Sequence, residues 1–322
     1  MKESEINKAE LKNLIDNQYS LKVNKITHIP KGQSGAINYS VDSNKGKFFA
    51  KVLDSKNKKI KKRQKSIINF LYKANKDYNL DNISTPIINK NGKKMSSLKN
   101  QYLILFKFIS GNPKHVGLSR QELEKLGETI GKVHKINPKK FNNIRKEDFS
   151  NYYNEDIFNK IREVRKSSFD ELKKVLLNYE KIIERGVKRR NELVKYVKSK
   201  KQRVIAHSDL HTDNFLINEK GIYILDWGSL TISQPEKDLH WFYDGGELNK
   251  DFLNGYKKIR KGFVLDERLL KYHAIQRSIY TIWVFTKLIL ENNSPSSYEA
   301  YLNIAKYYLE KVKRIVNSIK RE

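Results

Sequence analysis

Apolar positions along the chain change their period twice. Over residues 22–52 they fall in short β-branched and aromatic runs, LKVNKITHI, INYSV and KFFAKV, separated by KGQSG and DSNKG. Such runs, broken by turn residues, predict strands. Over residues 58–75 the period lengthens, and Ile67, Ile68 and Leu71 share one face of a predicted helix. QYLILFKFI, residues 101–109, predicts a buried strand that Ser110, Gly111, Asn112 and Pro113 end. From Ser119 the pattern turns helical. Ser119 and Glu122 have capping-box spacing, and Leu123, Leu126, Ile130 and Val133 follow at helical intervals. A long helix is predicted over 168–198, and three more close the chain. One strand-like interruption, residues 203–227, breaks this helical region.

The interruption reads from VIAHSDLHTDN through FLINEKGIYILDWGSL. FLI and IYIL flank Asn218, Glu219, Lys220 and Gly221, a hairpin signal in which Gly221 supplies the positive φ. Pairing Ile217 with Ile222 sets Phe215 opposite Ile224. Asn214 and Asp226 then meet at the open end, and Asp209 lies on the loop leading in. Two carboxylates and a carboxamide are oxygen ligands that suit Mg2+, which uses one or two carboxylates and phosphate oxygens. His207, Asp209 and Asn214 have the His-x-Asp-x4-Asn spacing of a kinase catalytic loop, and Asp226, Trp227 and Gly228 stand where its Asp-Phe-Gly would. The bland alternative is a polar loop with capping Asp and Asn side chains.

Composition narrows the field. The 322 residues suit two folding units or one two-lobed enzyme. With 38% hydrophobic residues the chain can build a core, and with no Cys it has no disulfides, thiolate zinc sites or cysteine nucleophiles. The N-terminal MKESEINKAELKN lacks the apolar core of a secretory signal. The apolar stretch over 280–290 is short and broken by Lys287. A cytoplasmic protein without a membrane partner is expected. The net charge of +29 is spread over nearly every segment, which fits solvated faces better than a nucleic-acid partner. Residues 56–65, KNKKIKKRQK, are the exception and are read as a solvated helix face.

The strings HSDLHTDNFLI, YILDWGSL and QPEKDLHWF resemble the aminoglycoside phosphotransferase family, a kinase-like group that also holds choline, homoserine and methylthioribose kinases. The likeness runs over about residues 20–290, and HSDLHTDN, ILDW and PEKDL followed by Gly245 and Gly246 are most similar to its spectinomycin kinases. The resemblance implies an α+β, bilobal protein-kinase-like fold. Residues 1–107 would form a small β-rich nucleotide-binding N-lobe, and residues 108–322 a larger, mostly helical C-lobe.

The resemblance also implies roles. Asp209 would be the catalytic base, Asn214 and Asp226 would hold Mg2+, and His207 would brace the loop. Asp238 either anchors the helix beginning near Pro235 to the catalytic loop or caps it. Lys51 in FFAKV would grip the phosphates of ATP. Backbone amides of Ser34, Gly35 and Ala36, in the turn marked by Gly32 and Gly35, would approach them closely. The purine would sit near Phe106 and Phe108, and GTP is not excluded. The family's helix glutamate is replaced near Gln64, which can hydrogen-bond Lys51 but cannot offset its charge.

The acceptor would lie over Asp209. Ser229, Glu236, Trp241, Asp244, Glu247 and Trp283 are candidate liners, the two tryptophans being equally readable as core. Acidic liners would favour a cationic amino sugar. His134 reads as a packing or capping residue. His211 and His240 with Asp213 form a weak metal alternative. The expected activity is ATP-dependent O-phosphorylation of a small molecule, foremost an aminoglycoside or aminocyclitol antibiotic such as spectinomycin. The alternatives are a metabolic kinase for choline, a sugar or an amino alcohol, a non-catalytic kinase-like coat or scaffold protein, and nucleic-acid binding. Oligomeric state leaves no trace in the sequence.

Overall fold

Asn7 opens the first helix, α1 (Lys8–Tyr19), by accepting the Ala9 and Glu10 amides on its side chain. Leu11, Ile15 and Tyr19, four residues apart, form its buried stripe. This helix is absent from the expectations above. The computed structural model describes residues 6–30, 36–113, 117–150, 152–291 and 295–318.

The α1 stripe packs on an antiparallel sheet of β1 (Val23–Ile29), β2 (Ile37–Ser43), β3 (Gly46–Asp54), β4 (Ser96–Leu98) and β5 (Gln101–Lys107), in the order β1-β2-β3-β5-β4. Period-two alternation gives the sheet two apolar faces. Ala50 and Val52 join Tyr39, Val41, Leu103 and Leu105 under α1. Leu53, Ile104 and Phe106 look the other way, toward α2 (Lys58–Tyr78). Lys51 alternates with Ala50 and Val52, pairs in register with Ile104, and so shares the α2 face. The helix runs to Tyr78, three residues beyond the predicted end, and Asn79 closes it in the left-handed conformation.

The rest of the chain is mostly helical. The Ser119–Glu122 capping box is formed and starts α3 (Arg120–Lys135). Then come α4 (Tyr152–Arg165), α5 (Asp170–Ser199), α6 (Glu236–Leu239), α7 (Lys250–Ile259), α8 (Glu267–Glu291) and α9 (Pro295–Ser318). Close packing of α3 on α7 requires glycine. A Cβ on Gly127 would stand 2.1 Å from the Phe252 carbonyl, and one on Gly255 would stand 2.0 Å from that of Glu124. One apolar core runs without a break from Leu53 and α2 through Leu126, Ile157 and Ile275 to Val316.

Within this helical part lie two small ladders. β6 (Asn112–Pro113), β8 (Phe215–Asn218) and β9 (Gly221–Ile224) form one, and β7 (Val204–Ala206) pairs with β10 (Thr231–Ser233) in the other. The hairpin has the predicted register, Ile217 opposite Ile222 and Phe215 opposite Ile224. Among the described residues no helix is long and apolar enough to cross a membrane.

Candidate active site

Strand β7 delivers the chain to His207, Ser208 and Asp209. Ser208 turns it with a φ of 71°, a left-handed conformation that the surroundings must hold in place. Asp238, on α6, does so. Its two carboxylate oxygens accept the His207 amide at 2.8 Å and the Ser208 amide at 2.6 Å. Asp238 Oδ2 also receives His134 Nε2 at 3.1 Å, and both side chains are fully buried. Burial pushes the His134 imidazole down, outweighing the pull of Asp238, so the ring is neutral. Its Nε2–H therefore donates to Asp238, and its Nδ1 accepts from the Tyr256 hydroxyl at 2.9 Å. Burial by itself raises the Asp238 carboxyl, yet the His134 hydrogen bond, the His134 and His207 rings and the Ser208 amide prevail and hold it below the usual range.

His207 is committed at both nitrogens. Nδ1 accepts the Asp209 amide at 3.2 Å and Nε2 donates to the Leu225 carbonyl at 2.8 Å, which leaves neither free to carry a proton to a substrate. The ring also stands edge-on to Trp227, with centroids 4.6 Å apart. His207 thereby ties the loop before the hairpin to the strand end after it.

Hydrogen bonds tie Asp209, Asn214 and the strand end before Asp226 to this frame. Asn214 Nδ2 donates to the Asp209 carbonyl at 2.7 Å and approaches His211 Nε2 at 3.0 Å, so the amide nitrogen is spent and Oδ1 remains. The Asn214 carbonyl accepts the Leu225 amide at 2.8 Å, which fixes Asp226 one residue on. Asp226 is exposed and left-handed, with φ 48°, and its Oδ1 accepts the Gly228 amide at 3.3 Å. From α2, the Arg63 guanidinium donates to the Gly228 carbonyl. Burial and the charge of Arg145 lower the Arg63 pKa, while Asp226 works against them. Two carboxylates and an amide oxygen are hard-oxygen donors of the kind that suits a divalent cation sharing phosphate oxygens. Among the described residues no three His, Asp or Glu side chains group around a metal, and His240 is buried with Nδ1 donating to the Lys237 carbonyl.

Arg277, from α8, is the residue that sequence reasoning missed. Its Nη2 lies 3.1 Å from Asp209 Oδ1, a charge contact without a well-directed hydrogen bond. The guanidinium lies 4.6 Å from the Trp241 ring centroid and 5.7 Å from that of Tyr280, and it bonds to Tyr308 of α9. Asp209 Oδ1, Ser208 Oγ, Arg277 Nε and Trp241 Nε1 are all buried atoms without a hydrogen-bond partner among the described residues. Buried polar atoms without partners are costly, and several of them side by side mark a surface built to receive polar groups.

The candidate acceptor residues divide. Ser229 is half-buried after the hairpin, and Trp241 is half-buried within this cluster. Glu236 is 2% exposed, its Oε1 accepts the Asp266 amide, and it does not line an open pocket. Asp244 pairs with Arg314 at 2.6 Å, and Glu247 is exposed beside Lys250. Trp283 donates to Asp156 at 2.7 Å. The charge beside Asp209 is thus cationic, where acidic liners were expected.

On the nucleotide side, Lys51 and Ala36 are half-buried, Phe106 is buried against Phe49, and Phe108 lies under the Lys47 ammonium. Gly32, Ser34 and Gly35 lie outside the described residues. Gln64 is half-buried on α2 and makes no hydrogen bond to Lys51 among the described residues.

The fold is shared widely. The spectinomycin phosphotransferase APH(9)-Ia, in complex with ADP and spectinomycin, superposes with a TM-score of 0.78 at 23% identity, over 95% of this chain and 97% of that one. The amicoumacin kinase hAmiN, in complex with AMP-PNP, Ca2+ and Ami, gives 0.64 at 12% identity, over 96% and 95%. A microcompartment-associated aminopropanol kinase gives 0.67 at 13%, over 96% and 97%. No curated protein sequence matches the chain significantly. The expected two-lobed, kinase-like α+β architecture is therefore the observed one. The sequence pattern of the phosphotransferase enzyme family matches residues 25–268, three quarters of the chain, including the catalytic-loop and hairpin residues from His207 to Asp238 but not Arg277, so the chain belongs to that family.

Proposed function

We propose that the protein transfers the γ-phosphoryl group of ATP to a hydroxyl of a small molecule. What supports this reading is the Asp209 loop held from behind by Asp238, tied to Asn214 through the Asp209 carbonyl and to the strand end before Asp226 through the Asn214–Leu225 backbone bond. In this reading residues 1–107 bind the nucleotide and residues 108–322 supply the catalytic and acceptor groups. The Asp209 carboxylate takes the proton of the acceptor hydroxyl as its oxygen attacks phosphorus. Arg277 orients that carboxylate. Asn214 Oδ1 and the Asp226 carboxylate hold the divalent cation, and Lys51 faces the phosphates from the sheet. Bound Mg2+ would neutralise charge on the β- and γ-phosphates. The turn amides of Gly32, Ser34, Gly35 and Ala36, with Phe106 and Phe108 at the purine, complete the nucleotide side. An enzyme drawing on ATP in this way works in the cytoplasm.

The leading acceptor is an aminocyclitol or aminoglycoside, with spectinomycin first, which would make the protein a resistance enzyme. The relative crystallised with spectinomycin supports this. A second reading rests on Arg277. A guanidinium 3.1 Å from the base repels an acceptor with several ammonium groups and favours a sugar or a small amino alcohol. An ATP-consumption assay with Mg2+, run against spectinomycin, aminoglycosides, choline, amino alcohols and small sugars, decides between them. Turnover with spectinomycin, lost in Asp209→Asn, establishes the first reading. Turnover confined to sugars or amino alcohols establishes the second. No ATP consumption with any acceptor class, in protein shown to be folded, overturns both.

A further inference from the structure

Against α2 lies a cavity of about 780 Å3. Lys61, Lys62 and Lys65 of α2, Lys93 and Lys94 of the segment before β4, and Lys140 line it. Neither Asp nor Glu is among its lining residues. Elsewhere lysines find carboxylates, as Lys12 does with Asp16, Lys160 with Glu163 and Lys237 with Glu147. Here they rest on aromatic rings. The Lys61 ammonium sits 4.1 Å from the Tyr102 ring centroid and donates to its hydroxyl, while Lys94 lies 4.6 Å from that of Tyr72. The cube root of the cavity volume, about 9 Å, is close to the roughly 8 Å over which physiological salt screens charge. The six ammonium groups thus line one concavity of about that size, and among the described residues no salt bridge to an Asp or Glu offsets them.

We propose that this cavity is a binding site for a small polyanion, a molecule carrying two or more phosphate groups. Its volume falls in the range of small-ligand sites. Ser66, Ser97, Asn69 and Asn142 on its walls add hydrogen-bonding groups that suit phosphate oxygens. It is separate from the candidate active site, since none of Lys51, Asp209, Asn214 and Asp226 lines it. It is nevertheless close to that site through packing. Phe141 lines the cavity and meets Phe70 edge-on with centroids 5.3 Å apart, and Phe70 meets Trp227 at 5.6 Å. Arg63, on the same helix as three of the lysines, holds the Gly228 carbonyl beside Asp226. A concave pocket framed by three chain segments suits a compact ligand better than a nucleic-acid backbone, which tracks an open basic strip.

The test is calorimetric titration of inorganic tripolyphosphate into the full chain at 0.15 M KCl without Mg2+. Wild type and Asp226→Ala are expected to bind one equivalent with similar affinity. Lys62→Gln, Lys65→Gln, Lys93→Gln and Lys94→Gln combined are expected to weaken binding at least about tenfold. The same four positions changed to Arg should retain it. Removing like charges should leave the melting temperature equal or higher, so loss of binding will not reflect loss of fold. The proposal is overturned if the fourfold Gln variant binds as wild type does, or if Asp226→Ala loses the binding. It is also overturned by non-saturating uptake, or by a 20-base-pair duplex that displaces tripolyphosphate through the same lysines with higher affinity.

Discussion

Two aspartates twenty-nine residues apart in sequence are treated by the fold in opposite ways. Asp238 is fully buried and satisfied by two backbone amides and an imidazole. Asp209 keeps about a quarter of its side-chain surface open and faces one guanidinium without a directed hydrogen bond. The contrast separates two tasks. A buried carboxylate with both oxygens engaged makes a rigid brace and a poor reagent. A carboxylate held mainly through its own backbone, by His207 Nδ1 and Asn214 Nδ2, keeps its oxygens for an incoming hydroxyl. The first substitution to test is therefore Asp209→Asn. It should lower kcat at least about 10^3-fold, equivalent to about 4 kcal/mol, while the melting temperature stays close to wild type. A variant with near-native turnover would remove Asp209 from the chemistry.

The brace should behave in reverse. Asp238→Ala strips partners from the His207 and Ser208 amides and leaves the His134 Nε2–H unpaired in a fully buried space. A destabilisation of about 3 kcal/mol is expected in urea unfolding, with inactivation following the loss of fold. If Asp238→Ala keeps full stability but loses activity, the division between brace and reagent fails.

Much of this contrast was legible in the sequence, and the reasons are local. FLI and IYIL around a turn with Gly221 fix the pairing of Phe215 with Ile224 and Ile217 with Ile222, so the hairpin register followed from alternation. The Ser119–Glu122 box was legible because capping is decided within four residues. α1 carried an equally local signal, an Asn7 cap before apolar residues four apart, that the strand-rich reading of the first third overlooked. Arg277 was not legible. It is one charge in α8, a helix buried on most sides, and no local pattern says which helix crosses over the hairpin. Glu236 misled for the same reason. In PEKDL it reads as an acid lining the acceptor site, and only the packing of α6 against α8 and the segment before it buries the side chain.

Glu236 sharpens the comparison through pH. Burial pushes its carboxyl from the ordinary 4.5 up to about 7, with the Asp266 charge adding to the rise and two backbone hydrogen bonds opposing it. Its Oε2 has no partner among the described residues, as a protonated oxygen in an apolar setting allows. A folded-state pKa above the unfolded one means that the native state holds the proton more tightly. Its contribution to stability is complete below about pH 4.5 and is lost as pH rises through 7. Glu236→Gln should therefore be about 2 kcal/mol more stable than wild type at pH 8 and indistinguishable at pH 4.5. Taking the difference between the two proteins at each pH removes contributions from other titrating groups. A difference that stays constant across this range would show Glu236 to be ionised in the fold.

The smallest expected effect falls on Arg277. Both partners of its pair with Asp209 retain more than a fifth of their side-chain exposure, so the pair itself contributes under about 1 kcal/mol to stability. Its weight lies in what the guanidinium does at the acceptor side. Stacked 4.6 Å from Trp241 and carrying an unpartnered Nε, it is poised to meet acceptor oxygens while turning the Asp209 carboxylate toward them. Arg277→Gln keeps a hydrogen-bonding end but loses charge and plane. KM for a neutral or singly charged acceptor should rise about fivefold with kcat changed less than twofold, and Arg277→Lys should restore only part of the loss, because a point charge lacks the planar fork. For an acceptor bearing several ammonium groups the sign reverses, and removing the guanidinium should lower KM. If KM is unmoved for every acceptor while kcat falls, Arg277 acts on the base alone and the open side of the site is formed by other residues.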